Sequence, residues 1–276
     1  MRTTTKIVIG IILSIFILVI GFIVVFSFSD RKHFNNYDRY RITTSQDSMQ
    51  RIKVNPYKTI RLTTEVTQHE CDYNVTPEGE FSLIPATNDA ETNHFSFPKE
   101  LSDFFTATSV NDTLFIKINM KQLQDKFGFK NKNGIRRMVS GFVFEANTNN
   151  IDVINDFSEI NVTVRNIETD KIAITGFGSV YIENCKADVV LPAVKAEYRE
   201  FKLKDSQVKK LNIDLDNMGN WFVENCDIEE ENLTGSKSSH VQLPKSEAKA
   251  MNWLPKNNDA QLSVTLSGDT ARIVYP

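Results

Sequence analysis

The sequence has few cysteines, little glycine and no excess of basic charge, and each shortage removes a class of protein. Its three cysteines, Cys71, Cys185 and Cys226, include no C-x-x-C pair. That excludes a disulfide scaffold and the usual zinc spacings, and leaves room for one bridge at most. Eleven glycines in 276 residues rule out a collagen-like repeat. A formal charge of −3 provides no basic face for nucleic acid. Of the four histidines, His33, His69, His94 and His240, none falls in an H-x-x-x-H or H-E-x-x-H pattern, so zinc hydrolysis has no support.

What is present is a long apolar run near the start. From Ile7 to Ser29 no residue is charged and most are Ile, Val, Leu or Phe. About 20 such residues cross a ~30 Å hydrocarbon core as a helix. The run far exceeds the core of an ordinary signal peptide, although Ser27 and Ser29 have the spacing of a cleavage site. Residues 1–29 are therefore expected to form a single-pass membrane anchor. The charges on its two flanks nearly balance, so the positive-inside rule orients it only weakly. The short head before the run argues for a cytoplasmic N-terminus, with the C-terminal part outside the cytoplasm in a bacterial cell envelope.

Residues 30–56 are polar, lack an apolar period and are expected to be a linker. From Tyr57 short alternating runs begin, such as Ile60–Leu62 and Leu114–Ile116–Ile118, which is the period-two signature of half-buried strands. The basic stretch Lys121–Arg137 is expected to be a short helix or a long loop. The range 57–145 is thus an irregular β-rich part, and 146–276 holds regular repeats.

The repeats are set by four polar corners, Asn166, Asn184, Asp205 and Asn225, spaced 18, 21 and 20 residues apart. Four and two residues before each stand Val162/Val164, Val180/Ile182, Phe201/Leu203 and Trp221/Val223, all apolar. Six and eight residues after the first three stand Ile172/Ile174, Val190/Pro192 and Leu211/Ile213. The frame continues through Val241/Leu243, Met251/Trp253 and Val264/Leu266. A period of about 20 residues carrying two short apolar runs is what an all-β solenoid requires, because each turn buries its inward residues only against its neighbours. Asn and Asp suit the corners because they tolerate a left-handed backbone. An antiparallel β-sandwich is the alternative; it explains alternation but not the repeated N-C corners of YIENCKA and FVENCDI.

The YKTIRL opening at Tyr57–Leu62, the ITGFGSVYIENC run at Ile174–Cys185 and the closing LSGDTARIVY at Leu266–Tyr275 resemble the auto-transporter adhesin head (GIN-type) domains of exported Bacteroidota proteins. Those domains carry more Gly-Ser-Gly corners than this chain has. The resemblance spans roughly residues 57–276 and implies a right-handed β-solenoid in an exported location. It implies no catalytic residues.

Candidate chemistry is sparse. His69-Glu70-Cys71 is a poor nucleophile and base, since neighbours on a strand point to opposite faces. Asp214, Asp216, Glu229, Glu230 and Glu231 form the densest acidic region, and paired carboxylates serve glycan cleavage. A solvated solenoid face explains them equally well, even with Lys202, Lys204, Lys209 and Lys210 nearby. Trp221, Trp253 and Tyr198 would stack on sugars only if they faced out, and the frame turns both tryptophans inward. Cys185 and Cys226 fall two turns apart with Ser206 between them, about 9.6 Å by strand spacing, beyond the ~7 Å limit of a bridge. They are expected to be buried thiols. The Asn-x-Ser/Thr sequons at Asn74, Asn111, Asn161 and Asn232 matter only in a host that glycosylates.

No catalytic, cofactor-binding or metal-ligating residue is assigned, and no cofactor is expected. The reading is a non-enzymatic binding, adhesion or structural module, anchored through residues 7–29, with a glycan or another envelope protein as partner and no nucleic acid. The alternative is a carbohydrate-active enzyme, a polysaccharide lyase or hydrolase, on the same fold.

Overall fold

The computed structural model describes residues 41–44, 47–55, 57–65, 75–86, 93–128, 136–146, 150–194, 199–218, 220–243 and 248–266. The expected anchor lies outside them. So do His69-Glu70-Cys71, Tyr198, Asn74 and the closing LSGDTARIVY after Leu266. Among the described residues no helix is long and apolar enough to cross a membrane. The chain divides into two compact units between Ile42 and Thr43, and the strands from Met49 onward belong to the second.

Ahead of the four corners the chain forms strands β1 (Arg41–Thr43), β2 (Met49–Val54), β3 (Thr59–Thr64), β4 (Val75–Pro85), β5 (Asn93–Pro98), β6 (Phe105–Val110), β7 (Thr113–Ile118), β8 (Arg136–Ala146) and β9 (Asn150–Asn155), of which β9 already lies in the range expected to hold repeats. The range expected to be linker thus ends in an ordered strand, β2. The stretch from Lys121 opens in helix α1 (Met120–Phe127), capped by Asn119, whose side-chain oxygen accepts from the Gln122 N–H at 3.0 Å.

The repeats hold β10 (Ile160–Arg165), β11 (Glu168–Gly176), β12 (Val180–Glu183), β13 (Lys186–Val194), β14 (Glu200–Lys204), β15 (Gln207–Asp214), β16 (Asn220–Glu224), β17 (Asp227–Gly235), β18 (Ser238–Leu243), β19 (Ala248–Pro255) and β20 (Gln261–Leu266). Successive strands alternate between two sheets. One runs β16-β14-β12-β10-β4-β8-β5-β2 and the other β19-β17-β15-β13-β11-β9-β3-β7-β6, with β18 and β20 forming a small third sheet. The pairings through the repeats are parallel, which rules out the antiparallel sandwich. The result is a β-solenoid of about five turns.

Register follows the corner frame. Val162 pairs with Val180, Val180 with Phe201 and Phe201 with Trp221; on the second sheet Ile172 pairs with Val190 and Val190 with Leu211. These columns are buried through Phe201 and Leu203, whereas Trp221 and Val223 are only half-buried. The frame misses a third inward column, Thr169, Ala187, Val208 and Ile228, three residues after each corner. Between it and the next column stand two outward residues in a row, such as Lys209 and Lys210.

The start of the stack is out of chain order. β3 lies between β7 and β9, and β4 between β8 and β10. Antiparallel β2, β5 and β6 close this end, over phenylalanines gathered around Phe95, whose ring centroid lies 5.2–6.4 Å from those of Phe81, Phe97, Phe105, Phe142 and Phe144. A cavity of about 10 Å³ remains among them, lined by residues including Leu62, Ile116 and Phe157. That is about one water's worth of space, and its apolar walls keep it dry.

Candidate functional site

The corners show why the sequence needs Asn and Asp there. Asn166, Asn184, Asp205 and Asn225 all have left-handed φ values, 58, 51, 48 and 54°. A residue with a short polar side chain accepts that backbone more readily than others. The Asn184 amide then donates to Asn166 Oδ1 at 2.7 Å, and the Asn225 amide to Asp205 Oδ1 at 2.6 Å. A second ladder climbs the strands through Asn212, Asn232 and Asn252, with two links of 2.9 Å. One expected sequon asparagine, Asn232, is therefore a rung, and Asn161 accepts from the Ser179 N–H at 3.2 Å. Asn111 sits exposed in the β6–β7 turn.

The ITGFGS run is explained by close packing. A Cβ on Gly178 would lie 1.9 Å from the Ile160 carbonyl oxygen, and one on Gly176 would lie 2.0 Å from that of Asn155. The buried Asn155 side chain ties this corner together, donating to Ile160 O at 2.7 Å and accepting from the Phe157 N–H at 3.1 Å.

The outer surfaces of both sheets carry ion pairs that join neighbouring turns. Arg165 bridges Glu80 at 2.6 Å and Glu183 at 2.9 Å, and Lys202 meets Glu224 at 2.7 Å. Lys202 holds the Glu224 carboxyl below its ordinary range. On the other sheet Lys209 meets Asp188 at 2.7 Å and Lys249 meets Asp227 at 2.8 Å; each aspartate raises the pKa of its lysine. Exposed pairs of this kind add little stability singly. Beside them on the first sheet lies an outward column of Tyr181, Lys202 and Phe222, in which Tyr181 donates to Glu200 at 3.0 Å and Phe222 is 49% exposed; Thr163, next in register, is fully buried.

The acidic region is dispersed by the fold. Glu229 is exposed and Glu230 faces Lys210 at 3.4 Å. Asp214 and Asp216 share Lys256, at 2.5 and 2.9 Å. Asp214 also accepts from the Asp216 N–H, and Asp216 accepts from the Ser236 N–H at 2.9 Å. The Ser236 N–H, and after it Lys256, pull the Asp216 carboxyl down to about 2. A carboxyl so stabilised as its anion serves as a turn-to-turn staple and holds no proton to donate near neutral pH. Lys256 lies 40 residues beyond Asp216, and the sequence reading missed it because only the stack brings them together.

Glu231 goes inward. It pairs in register with Leu211 and Met251, is 3% exposed, and accepts from the Trp221 indole N–H at 3.1 Å. Burial pushes its carboxyl above the ordinary range. The signal was available, since six residues after the fourth corner, Asn225, is Glu231.

Both tryptophans pack against the core, half-buried. Cys185 and Cys226 are thiols on either side of Ser206: the Cys185 N–H donates to Ser206 Oγ at 3.0 Å, and the Asp227 N–H to Ser206 O at 3.0 Å. Cys185 is buried, which raises its thiol pKa, whereas Cys226 is only half-buried. His240 is exposed, and His94 Nδ1 lies 3.1 Å from the Arg51 guanidinium. Among the described residues no three His, Cys, Asp or Glu side chains are grouped to hold a metal.

No protein-family model and no curated protein matches the chain. Solved structures do. A candidate adhesin from Bacteroides fragilis is 15% identical with a TM-score of 0.48, covering 82% of this chain and 96% of its own. A candidate lipid-binding protein from Parabacteroides distasonis is 10% identical with a TM-score of 0.37, covering 83% and 98%. A candidate cell adhesion protein from Clostridium sporogenes is 8% identical with a TM-score of 0.25, covering 79% and 99%.

Proposed function

We propose that this chain is a membrane-anchored, non-enzymatic binding or adhesion module of the bacterial cell envelope, its solenoid lying outside the cytoplasm and engaging a glycan or an envelope protein. The observation that carries this is the outward column Tyr181, Lys202 and Phe222 on a parallel sheet, where side chains repeat once per turn at strand spacing. Such a column matches an extended partner that itself repeats. The anchor rests on the apolar run Ile7–Ser29. The right-handed coil implied by the resemblance to GIN-type heads is the hand that parallel crossovers favour.

Binding of the detergent-solubilised full chain to immobilised envelope polysaccharides and envelope proteins tests the reading. Saturable binding that Phe222→Ala and Lys202→Ala weaken at least about tenfold, the usual scale of a hot-spot residue, is the expected result. Appearance of new reducing ends or unsaturated sugars would replace it with the polysaccharide lyase or hydrolase alternative.

A further inference from the structure

The inward column of Ile172, Val190 and Leu211 is apolar until the turn built from β16 and β17, where Glu231 takes the next place. A carboxyl in such a column is tolerated as the neutral acid and strongly disfavoured as the anion. Among the described residues its hydrogen-bond partner is the Trp221 indole, which faces it across the core of the same turn.

The residues that face it do not titrate. β15 presents Leu211 and Ile213, β16 presents Trp221 and Val223, and β19 presents Met251 and Trp253. The other ionisable side chains of these strands lie on the outer surface: Lys209 pairs with Asp188, Lys210 with Glu230, Lys249 with Asp227, Glu224 with Lys202 and Asp214 with Lys256, and Glu229 is exposed. No cation within the column is therefore placed to compensate a charge on Glu231 among the described residues. The same turn is where the core loosens: Val180, Ile182, Phe201 and Leu203 are buried, but Trp221, Val223 and Trp253 are half-buried. A charge forming here meets the part of the stack least able to hold it.

We propose that Glu231 and Trp221 form a proton-dependent latch, which keeps the turns β16–β19 closed while the carboxyl is protonated and releases them when it ionises. Ionisation breaks the carboxyl O–H bond, and its proton leaves to water. Opening lets the carboxylate follow into solvent and uncovers the edges of β14 and β15. The direction follows from linkage. Burial raises the carboxyl above the ordinary value of 4.5 that it regains in the open state. The closed form is thus favoured fully below about 4.5, and loses ground as pH rises towards the folded-state value.

Hydrogen exchange of the full chain between pH 4 and 8, corrected for intrinsic exchange and read on peptides from β17 and β19, tests the latch. In the wild type the opening constant should climb by up to about tenfold per pH unit above about 4.5, the limit for one linked proton. In Glu231→Gln the climb should vanish. Trp221→Phe removes the one donor that favours the anion, so its climb should extend to higher pH. Equal pH dependence in wild type and Glu231→Gln, or a flat wild-type profile, overturns the proposal. Should Glu231→Gln fail to fold, the carboxyl carbon signal of Glu231 in the wild type decides: titration above the ordinary range supports the latch, and titration at about 4.5 refutes it.

Discussion

Replacing Asn184 separates the two reasons for an asparagine at a solenoid corner. Its backbone is left-handed (φ 51°), and its side chain donates to Asn166 Oδ1 at 2.7 Å. Alanine loses the hydrogen bond, worth about 0.5–1.5 kcal/mol, and takes on a left-handed conformation that costs a residue with a Cβ about 1–2 kcal/mol. Asparagine carries part of that conformational cost already and the site is exposed, so Asn184→Ala should destabilise by about 2 kcal/mol. Glycine loses the same bond but has no left-handed cost, leaving mainly its extra unfolded-state entropy of about 0.5–1 kcal/mol. Asn184→Gly should therefore lose only about 1 kcal/mol. The Asn184 N–H to Lys204 O bond of 3.0 Å belongs to the backbone and survives in both variants. Urea unfolding of the full chain, with exchange of the β12 and β13 amides as a local readout, compares them. Glycine outperforming alanine by about 1 kcal/mol is expected; alanine equal to or better than glycine would refute left-handed strain as the reason for these corners.

Two further perturbations test the packing and the electrostatics. Gly178→Ala brings a Cβ to 1.9 Å from a backbone oxygen of Ile160, so the corner must move as a unit; a loss of about 3 kcal/mol is expected, at the upper end of ordinary substitutions, and a midpoint unchanged in urea would show that the corner yields freely. Lys256→Met should leave Asp216 well below its ordinary 3.8, because the Ser236 N–H ranks ahead of the lysine in lowering it. The stability this carboxylate contributes is present above about pH 3.8 and lost as pH falls through about 2. Carboxyl NMR titration checks both points, and a return of Asp216 to 3.8 in Lys256→Met would assign the effect to the lysine.

The repeats were legible because a solenoid writes its geometry locally. Corner, inward pair and outward residue recur within some 20 residues, so Val180 over Phe201 and Cys185 beside Ser206 follow from counting alone. The third inward column escaped the count because it is mixed in character. Thr169 and Ala187 carry no strong apolar signal, and the doubled outward residues after them break the period of two. The acidic run misled for the opposite reason. Five carboxylates close in sequence suggest one site, but alternation and the corner bend send Glu229 and Glu230 outward, Glu231 inward, and Asp214 and Asp216 to the far end of the turn before.

In the irregular part the strands at Ile60–Leu62 and Leu114–Ile118 were legible but their pairing was not, and the topology gives the reason. β3 and β4 enter the stack between strands supplied by residues far downstream, so the neighbours of Ile60 are Leu114 on one side and Val153 on the other. No local period can announce a pairing of that kind. What the sequence does carry there is composition, an abundance of phenylalanine that reads as core without saying which core. Phe95 with its ring neighbours fills the first turns and leaves a space no larger than about one water. A solenoid turn is completed by the turn beneath it, and among the described residues the first turn has none. Antiparallel β2, β5 and β6 cover that end with large rings in place of a repeat. The phenylalanines gathered around Phe95 and the loss of periodicity before residue 146 are thus two consequences of one requirement, that the stack has a beginning.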